Sequence, residues 1–418
     1  MTAAPPLPQT PRLDLRALLE RVEAAAPVDA VTVVAAELSA AVAARAVSFL
    51  IADFSGHSLV RLGTVTPRGS ATRTTGTESA DTVAIADSPH GEVLRTQRAS
   101  VTALVDGSRV LVPVTDRGDA LGVLELELPT EPGPQVLADV AAAGHALAYV
   151  LIANRRHTDL FEWGQRTTPF SLAAEIQRRL LPASFTCEAG QFTVSGWLEP
   201  AATVGGDTFD WSLDRHSLQV SITDAVGHDV AAALLATLLV GSLRNERRRG
   251  VDLAAQTRAA NEAVAAHGTG GQFVTGQVLR VDLTTGAAQL VNAGHPAPLR
   301  LRAGVVEELD LLVDLPFGVQ AGRGFRVQEF DLQPGDRLVF LTDGMQERDA
   351  AAVDVVRALR DSAGDHPRQV VHALGSAVVR ATGDELSDDA TVVCLDWYGG
   401  DLRPRVSEGG ASAEHAST

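Results

Sequence analysis

The sequence contains no lysine, so all of its basic charge is arginine. That absence excludes no mechanism, but the acidic excess beside it limits partners. With 35 basic against 52 acidic residues the formal net charge is −17, and no basic stripe offers a nucleic-acid footprint. The densest basic run, residues 244–250 (RNERRRG), reads as a solvated loop after a helix. Cysteine is nearly absent. Cys187 and Cys394 lie far apart and form no CxxC pair, so neither a disulfide framework nor a zinc ribbon is indicated, and a reducing cytoplasm is the expected compartment. The first residues lack a charged start followed by an apolar core, so no secretory signal is expected there. Membrane-length apolar runs are also lacking: residues 230–243 are too short to span a bilayer. Residues 137–154 carry Asp139 and His145 and read as a packed helix. There is no glycine-rich ATP loop for a kinase, and no acidic pair on a long helix for a di-iron bundle.

What is present is ordinary for a globular chain. Hydrophobic residues make up 45% and charged residues 21% of 418 positions, enough for two cores. Residues 1–12 form a Pro-rich tail expected to be disordered. Helical periodicity follows through LDLRALLERVEAAA and resumes after Pro27. AVSFLIADFSGHSLVRLG reads as two strands across a Ser-Gly turn. SPHGEVLRTQ reads as a short helix with Ser88 as N-cap and Pro89 in its first turn. SRVLVPVTDRGDALGVLELELP is a second hairpin, and a helix over residues 134–154 ends this half.

On VSFLIADFSGHSLVRL and the LVPV…LGVLELE hairpin, residues 13–154 resemble a GAF domain. The resemblance implies an α/β/α sensor for a small ligand or a partner protein. It holds no cysteine, so a thiol-linked bilin is excluded. His57, His90 and His145 read as ordinary surface or packing histidines. Residues 155–182 are expected as a helical linker, with Leu172, Ile176, Leu180 and Leu181 on one face and Pro182 as its stop. Two readings of it stay open: a connector packed on the second domain, or a signalling helix paired with its copy in a homodimer.

The second half, residues 183–398, gathers acids at strand ends. Gly205-Gly206 precede Asp207, with Asp210 three residues on. LQVSIT ends on Asp224, RLVFLT delivers Asp343-Gly344, and Asp388-Asp389 precede ATVVCL. One such aspartate is normally a turn former. Four sites among β-rich segments, with no cysteine ligand near them, suit hard divalent cations such as Mn²⁺ or Mg²⁺. Gathered carboxylates repel one another unless cations neutralise them, and two such ions also acidify a water. A phosphate ester is the natural substrate.

VGGDTFD, DAVGHD…AA, VNAGHPAPLRL, LPFGV, GDRLVFLTDGMQE and DDATVV occur in the order of the SpoIIE/RsbU-like branch of PPM (protein phosphatase 2C-type) serine/threonine phosphatases, which residues 171–397 resemble. The resemblance implies an α-β-β-α sandwich, making the whole chain α+β, and assigns roles by motif. Asp224 would bridge two metals and the carbonyl of Ala225 would ligate one. Asp343 and Asp388 would complete the ligand set of the second metal, and Asp207 would bind or orient metal-bound water. Asp210 and Asp389 would stand behind these, and Gly344 would keep the turn after Asp343 tight. Asn292, Gly294 and His295 would shape the core beside the site. A hydroxide between the ions would attack phosphorus in line.

Two departures stand out. Relatives read Asp-x-x-Gly-His-Gly where this chain has Asp229 after Gly227 and His228, and Asp229 reads as a helix cap. No arginine matches the phosphate-contacting arginine of other PPM enzymes. The family pattern further implies a phosphorylated STAS-type anti-sigma-factor antagonist as substrate. A decayed sensor scaffold and a small-ester metallophosphatase are the competing classes. Residues 399–418 are expected as a disordered tail.

Overall fold

Alternating apolar residues turn the N-terminal half into an antiparallel sheet with helices on both faces. The computed structural model describes residues 13–72, 81–167, 170–200, 205–227, 229–267, 271–345, 353–383, 386, 388–400, 407–408 and 410–412. Contacts divide the chain into two units, Met1–Pro169 with Val406–Thr418, and Phe170–Arg405.

In the first unit α1 (Leu15–Ala24) and α2 (Ala30–Val42) lead into β1 (Ala46–Ala52), β2 (Ser58–Thr66), β3 (Gly69–Thr72) and β4 (Thr82–Ala84). Then come α3 (Pro89–Thr96), β5 (Ser100–Leu104), β6 (Gly107–Asp116), β7 (Asp119–Leu128), α4 (Pro134–Asn154) and α5 (Leu160–Gly164). The sheet order is β3-β2-β1-β7-β6-β5, with β4 on β2. Side chains alternate across it. Val47, Phe49, Ile51, Leu124 and Leu126 face α1, α2 and α4. Leu50, Leu59, Leu111 and Val123 meet Val93 and Leu94 of α3. Ser88 caps α3 by accepting from the Gly91 amide at 3.1 Å, a bond worth about 1 kcal/mol. His90 is buried against Glu125 at 2.7 Å, His57 is exposed, and His145 stacks edge-on with Tyr149. By length and composition the stretch Pro134–His157 passes as a membrane span. Val140, Ala143, Leu147, Ala148 and Leu151 of α4 nevertheless sit in the core against the sheet.

The stretch expected as one linker divides. Phe161 of α5 enters the first core, whereas α6 (Leu172–Leu180) belongs to the second unit. The buried face of α6 matches the expected one at its end, where Leu180 and Leu181 are buried, and departs from it in the first turns. Ala173, Gln177 and Leu180 point inward while Leu172 is 65% exposed. The cause is polar: acceptors beneath the helix take the Gln177 amide, and the frame rotates away from Leu172 and Ile176.

After α6 come β8 (Thr186–Glu188), β9 (Phe192–Glu199), β10 (Asp207–Leu213), β11 (Ser217–Ala225), α7 (Asp229–Arg249), α8 (Leu253–His267), β12 (Val274–Asp282) and β13 (Ala287–Ala293). The unit continues through β14 (Leu299–Arg302), β15 (Val305–Glu308), β16 (Gln328–Asp331), β17 (Arg337–Leu341), α9 (Val355–Asp361), α10 (Pro367–Ala381) and β18 (Ala390–Trp397). They build two sheets, β10-β11-β12-β13-β16 and β15-β14-β17-β18-β9-β8. Between the sheets lie Phe192, Phe209, Leu279, Phe340, Val393, Leu395 and Trp397. Each large side chain so buried is worth roughly 1.5–3 kcal/mol. The alternate residues Val339, Leu341, Val392 and Cys394 face α9 and α10. On the outer side of the other sheet, Val274, Val278 and Val291 pack with Leu235, Leu239 and Val264 of α7 and α8. The result is an α-β-β-α sandwich.

The basic run expected as a loop is the end of α7, where Arg244 and Arg247 both grip Asp210. Within the expected C-terminal tail, β19 (Ser407–Glu408) and β20 (Ala411–Ser412) pair as a short hairpin, and the Gly118 amide donates to the Gly410 carbonyl at 3.0 Å.

Candidate active site

Four strands bring their acids to one end of the sandwich. Asp207 opens β10 and lies opposite Asp224, near the end of β11. In the other sheet β17 runs antiparallel to β18, with Leu341 opposite Val392. The residues just past β17 therefore meet those just before β18. That register places Asp343 beside Asp388 and Asp389. A Cβ on Gly344 would stand 2.0 Å from the Asp389 carbonyl, so only glycine lets the two segments close. Gly206 does the same at the Ala225 carbonyl, which a Cβ would approach to 2.5 Å.

The sheets are tied together at this end by hydroxyls. Thr342 Oγ1 and Thr391 Oγ1 donate to Asp207 Oδ2 at 2.7 and 2.6 Å. Thr342 Oγ1 in turn accepts from the Thr391 amide at 3.0 Å. Above them Gln177 donates to the Asp207 carbonyl at 2.8 Å and to Asp389 Oδ2 at 2.5 Å. Sequence reading missed Thr342, Thr391 and Gln177. Their signal is faint: two threonines next to an acid at a strand end, and one amide among the apolar positions of a helix.

The electrostatics follow from burial and crowding. Burial first, then repulsion from Asp343, Asp388 and Asp389, pushes the Asp224 carboxyl up to about 7, against a hydrogen bond with Asp207. Asp207 is raised as well, by burial and by Asp224 and Asp389, with the two threonine hydroxyls opposing. Among the described residues no trio of acidic, histidine or cysteine side chains already closes tightly enough to grip an ion. The chemistry of the donors nevertheless fits a hard divalent cation: buried carboxylates in mutual repulsion, with a backbone carbonyl at Ala225 in a gap kept open by glycine.

Asp210 stands apart from this group. Its carboxylate takes hydrogen bonds from Arg244 at 3.1 and 2.9 Å and from Arg247 at 3.0 Å, so it anchors α7 to β10. Asn292 closes the NAGHP turn from both sides, accepting from the His295 amide at 2.9 Å and donating to the His295 carbonyl at 3.0 Å. Gly294 holds φ at 73° in that turn. His295 Nδ1 meets Thr275 Oγ1 at 2.9 Å, and Thr275 is the strand partner of Asp224. Burial lowers His295 to about 4, so its ring is neutral. Gly227 turns out of β11 with φ at 106°. His228 lies outside the described residues; Asp229 is the first residue of α7, and its side chain lies outside the description as well.

Residues 214–398 match the family described as Stage II sporulation protein E (SpoIIE). The chain is 22% identical over 240 residues to phosphoserine phosphatase RsbP of Bacillus subtilis, covering 54% of this chain and 57% of that protein. It is 20% identical over 234 residues to phosphoserine phosphatase RsbU of the same organism, covering 54% and 68%. It therefore spans little more than half the length of RsbP. A crystal structure of RsbU and RsbW domains from Mycobacterium tuberculosis is 24% identical, covers 53% of this chain and 63% of its own, and has a TM-score of 0.45. The C-terminal half of the chain is thus similar to the SpoIIE family, over residues 214–398, and to the phosphoserine phosphatases RsbP and RsbU.

Proposed function

We propose that this protein is a metal-dependent phosphatase that removes phosphate from phosphoserine or phosphothreonine of a protein substrate. The observation that carries the reading is the meeting of Asp207, Asp224, Asp343, Asp388 and Asp389 at one end of the sandwich, with Asp224 raised by its neighbours. Asp224, Asp343, Asp388 and the Ala225 carbonyl would hold two Mn²⁺ or Mg²⁺ ions, with Asp207 beside them. When bound, such ions supply an acidified water and neutralise charge on the phosphoryl oxygens. The chain's own part is orientation. Thr342 and Thr391 fix one oxygen of Asp207, and Gln177 fixes Asp389. The two sheets set how far apart the carboxylates stand.

The substrate in this proposal is a phosphorylated STAS-type anti-sigma-factor antagonist; the naming of RsbP and RsbU as phosphoserine phosphatases supports the phosphoserine in it. The N-terminal unit is the GAF-like regulator. Its sheet with helices on both faces supports this, as does a small, partly open pocket of about 90 Å³ lined by residues that include Val31, Ala35, Phe49, Leu62, Val65 and Phe161. Exposed Leu15 and Leu19 of α1 and Tyr149 and Ile152 of α4 support a homodimer. Two buried free cysteines fit a cytoplasmic location.

The test is Mn²⁺-dependent release of phosphate from a phosphorylated STAS protein. Asp224→Asn is expected to lower kcat/KM by at least about 100-fold, a loss of roughly 3 kcal/mol of transition-state stabilisation. Undiminished activity of that variant removes the role of Asp224, and no release with any divalent ion removes the phosphatase reading.

A further inference from the structure

α6 is held at three successive turns. Ala173 packs on Gly205, where a Cβ would stand 3.0 Å from the Ala173 methyl. Gln177 follows one turn later. At the helix end, Arg244 donates to the Leu180 carbonyl while it grips Asp210. The two outer fastenings already dock the helix, and the middle one spends a core position on an amide. Gln177 is only 2% exposed. An unpaired amide there would cost roughly 1–3 kcal/mol, so its hydrogen bonds justify its burial.

Those bonds go to one place. The Asp207 carbonyl and Asp389 Oδ2 are both acceptors, so the Gln177 nitrogen must face the cleft. The side chain thus joins the backbone of β10, in one sheet, to the carboxylate that precedes β18, in the other. An acid anchored in this way keeps one rotamer although it repels Asp207 and Asp224.

We infer that Gln177 is a positioning residue for the metal centre: by holding the Asp389 carboxylate and the Asp207 backbone, it sets the geometry on which cation affinity depends. The inference rests on the metallophosphatase reading given above. A helix staple and a positioning residue differ in what they change. Loss of a staple lowers the unfolding temperature and leaves ion affinity alone.

Two near-isosteric substitutions in the full-length protein separate the cases. Gln177→Met keeps the length and removes both donors, and Gln177→Glu replaces them with acceptors aimed at a carbonyl and a carboxylate. Mn²⁺ binding is measured by titration calorimetry, with the metal-free unfolding temperature as the control on the fold. Mn²⁺ affinity is expected to fall about 10-fold in Gln177→Met and further in Gln177→Glu, within the range of roughly 10–100-fold for groups that orient metal ligands. The Mn²⁺ concentration for half-maximal phosphate release should rise in step. Wild-type affinity in both variants overturns the inference and leaves the phosphatase reading standing. Wild-type protein that takes up no Mn²⁺ overturns both together. If Gln177→Glu does not fold, Gln177→Met carries the test, joined with Asp389→Asn in a double-mutant cycle. Coupled losses of Mn²⁺ affinity support the route through Asp389, and additive losses overturn it.

Discussion

Asp224 carries the electrostatic cost of the site. Its ordinary value is 3.8, and in the fold it is pushed up to about 7. The folded protein therefore binds this proton more tightly than the unfolded chain does. Linkage then gives a definite sign. The contribution of Asp224 to the stability of metal-free protein is lost as pH rises from about 4 through about 7. At about 1.4 kcal/mol per pKa unit, the loss is bounded at roughly 4 kcal/mol. Asp224→Asn removes the penalty, so its unfolding temperature should gain on wild type as pH goes from 5 to 8 in the presence of a chelator. A gap that stays constant with pH contradicts this assignment. The same proton competes with cations, so apparent Mn²⁺ affinity should climb with pH and level off above about 7, a trend that titration at stepped pH checks.

At the scale of elements, the segments after β17 and before β18 touch backbone to backbone at Gly344. Gly344→Ala puts a methyl group 2.0 Å from the Asp389 carbonyl, with no flexible side chain to give way. Chemical denaturation should show a loss of about 1–3 kcal/mol, and phosphate release should fall more than stability does, because Asp343 and Asp389 flank the contact. The strands themselves were legible in advance. RLVFL and ATVVCLDW are apolar enough to read as buried strands, and the acids beside them mark their ends. The helix phase of α6 was not legible in its first turns. Leu172, Ile176, Leu180 and Leu181 predict an apolar stripe, and the acceptors that claim Gln177 instead come from residues 30 and 212 positions away. Nor did the run of arginines after residue 243 announce that it continues a helix, because its partner Asp210 lies on a strand 34 positions earlier. Local pattern gives an element and its face only where neighbours are apolar; a buried polar group takes its frame from partners that the pattern does not contain.

At the scale of the whole domain, Asp207 and Asp224 belong to one sheet and Asp343, Asp388 and Asp389 to the other. A divalent ion bound among them, as proposed above, would work as a clasp that joins the two leaves of the sandwich at their open edge. At an ion concentration about 100 times Kd, binding adds about 2.7 kcal/mol to stability. The distribution of that gain matters more than its size. Amides at the ends of β10, β11, β17 and β18 should slow their hydrogen exchange together when Mn²⁺ is added, while those of α10 change little. Separate responses from the two sheets would mean that the ion sits on one leaf alone. With the clasp undone, Thr342, Thr391 and Gln177 still tie the two leaves at this end, in front of the apolar layer. Whatever shifts one leaf relative to the other then acts on catalysis without touching a single ligand.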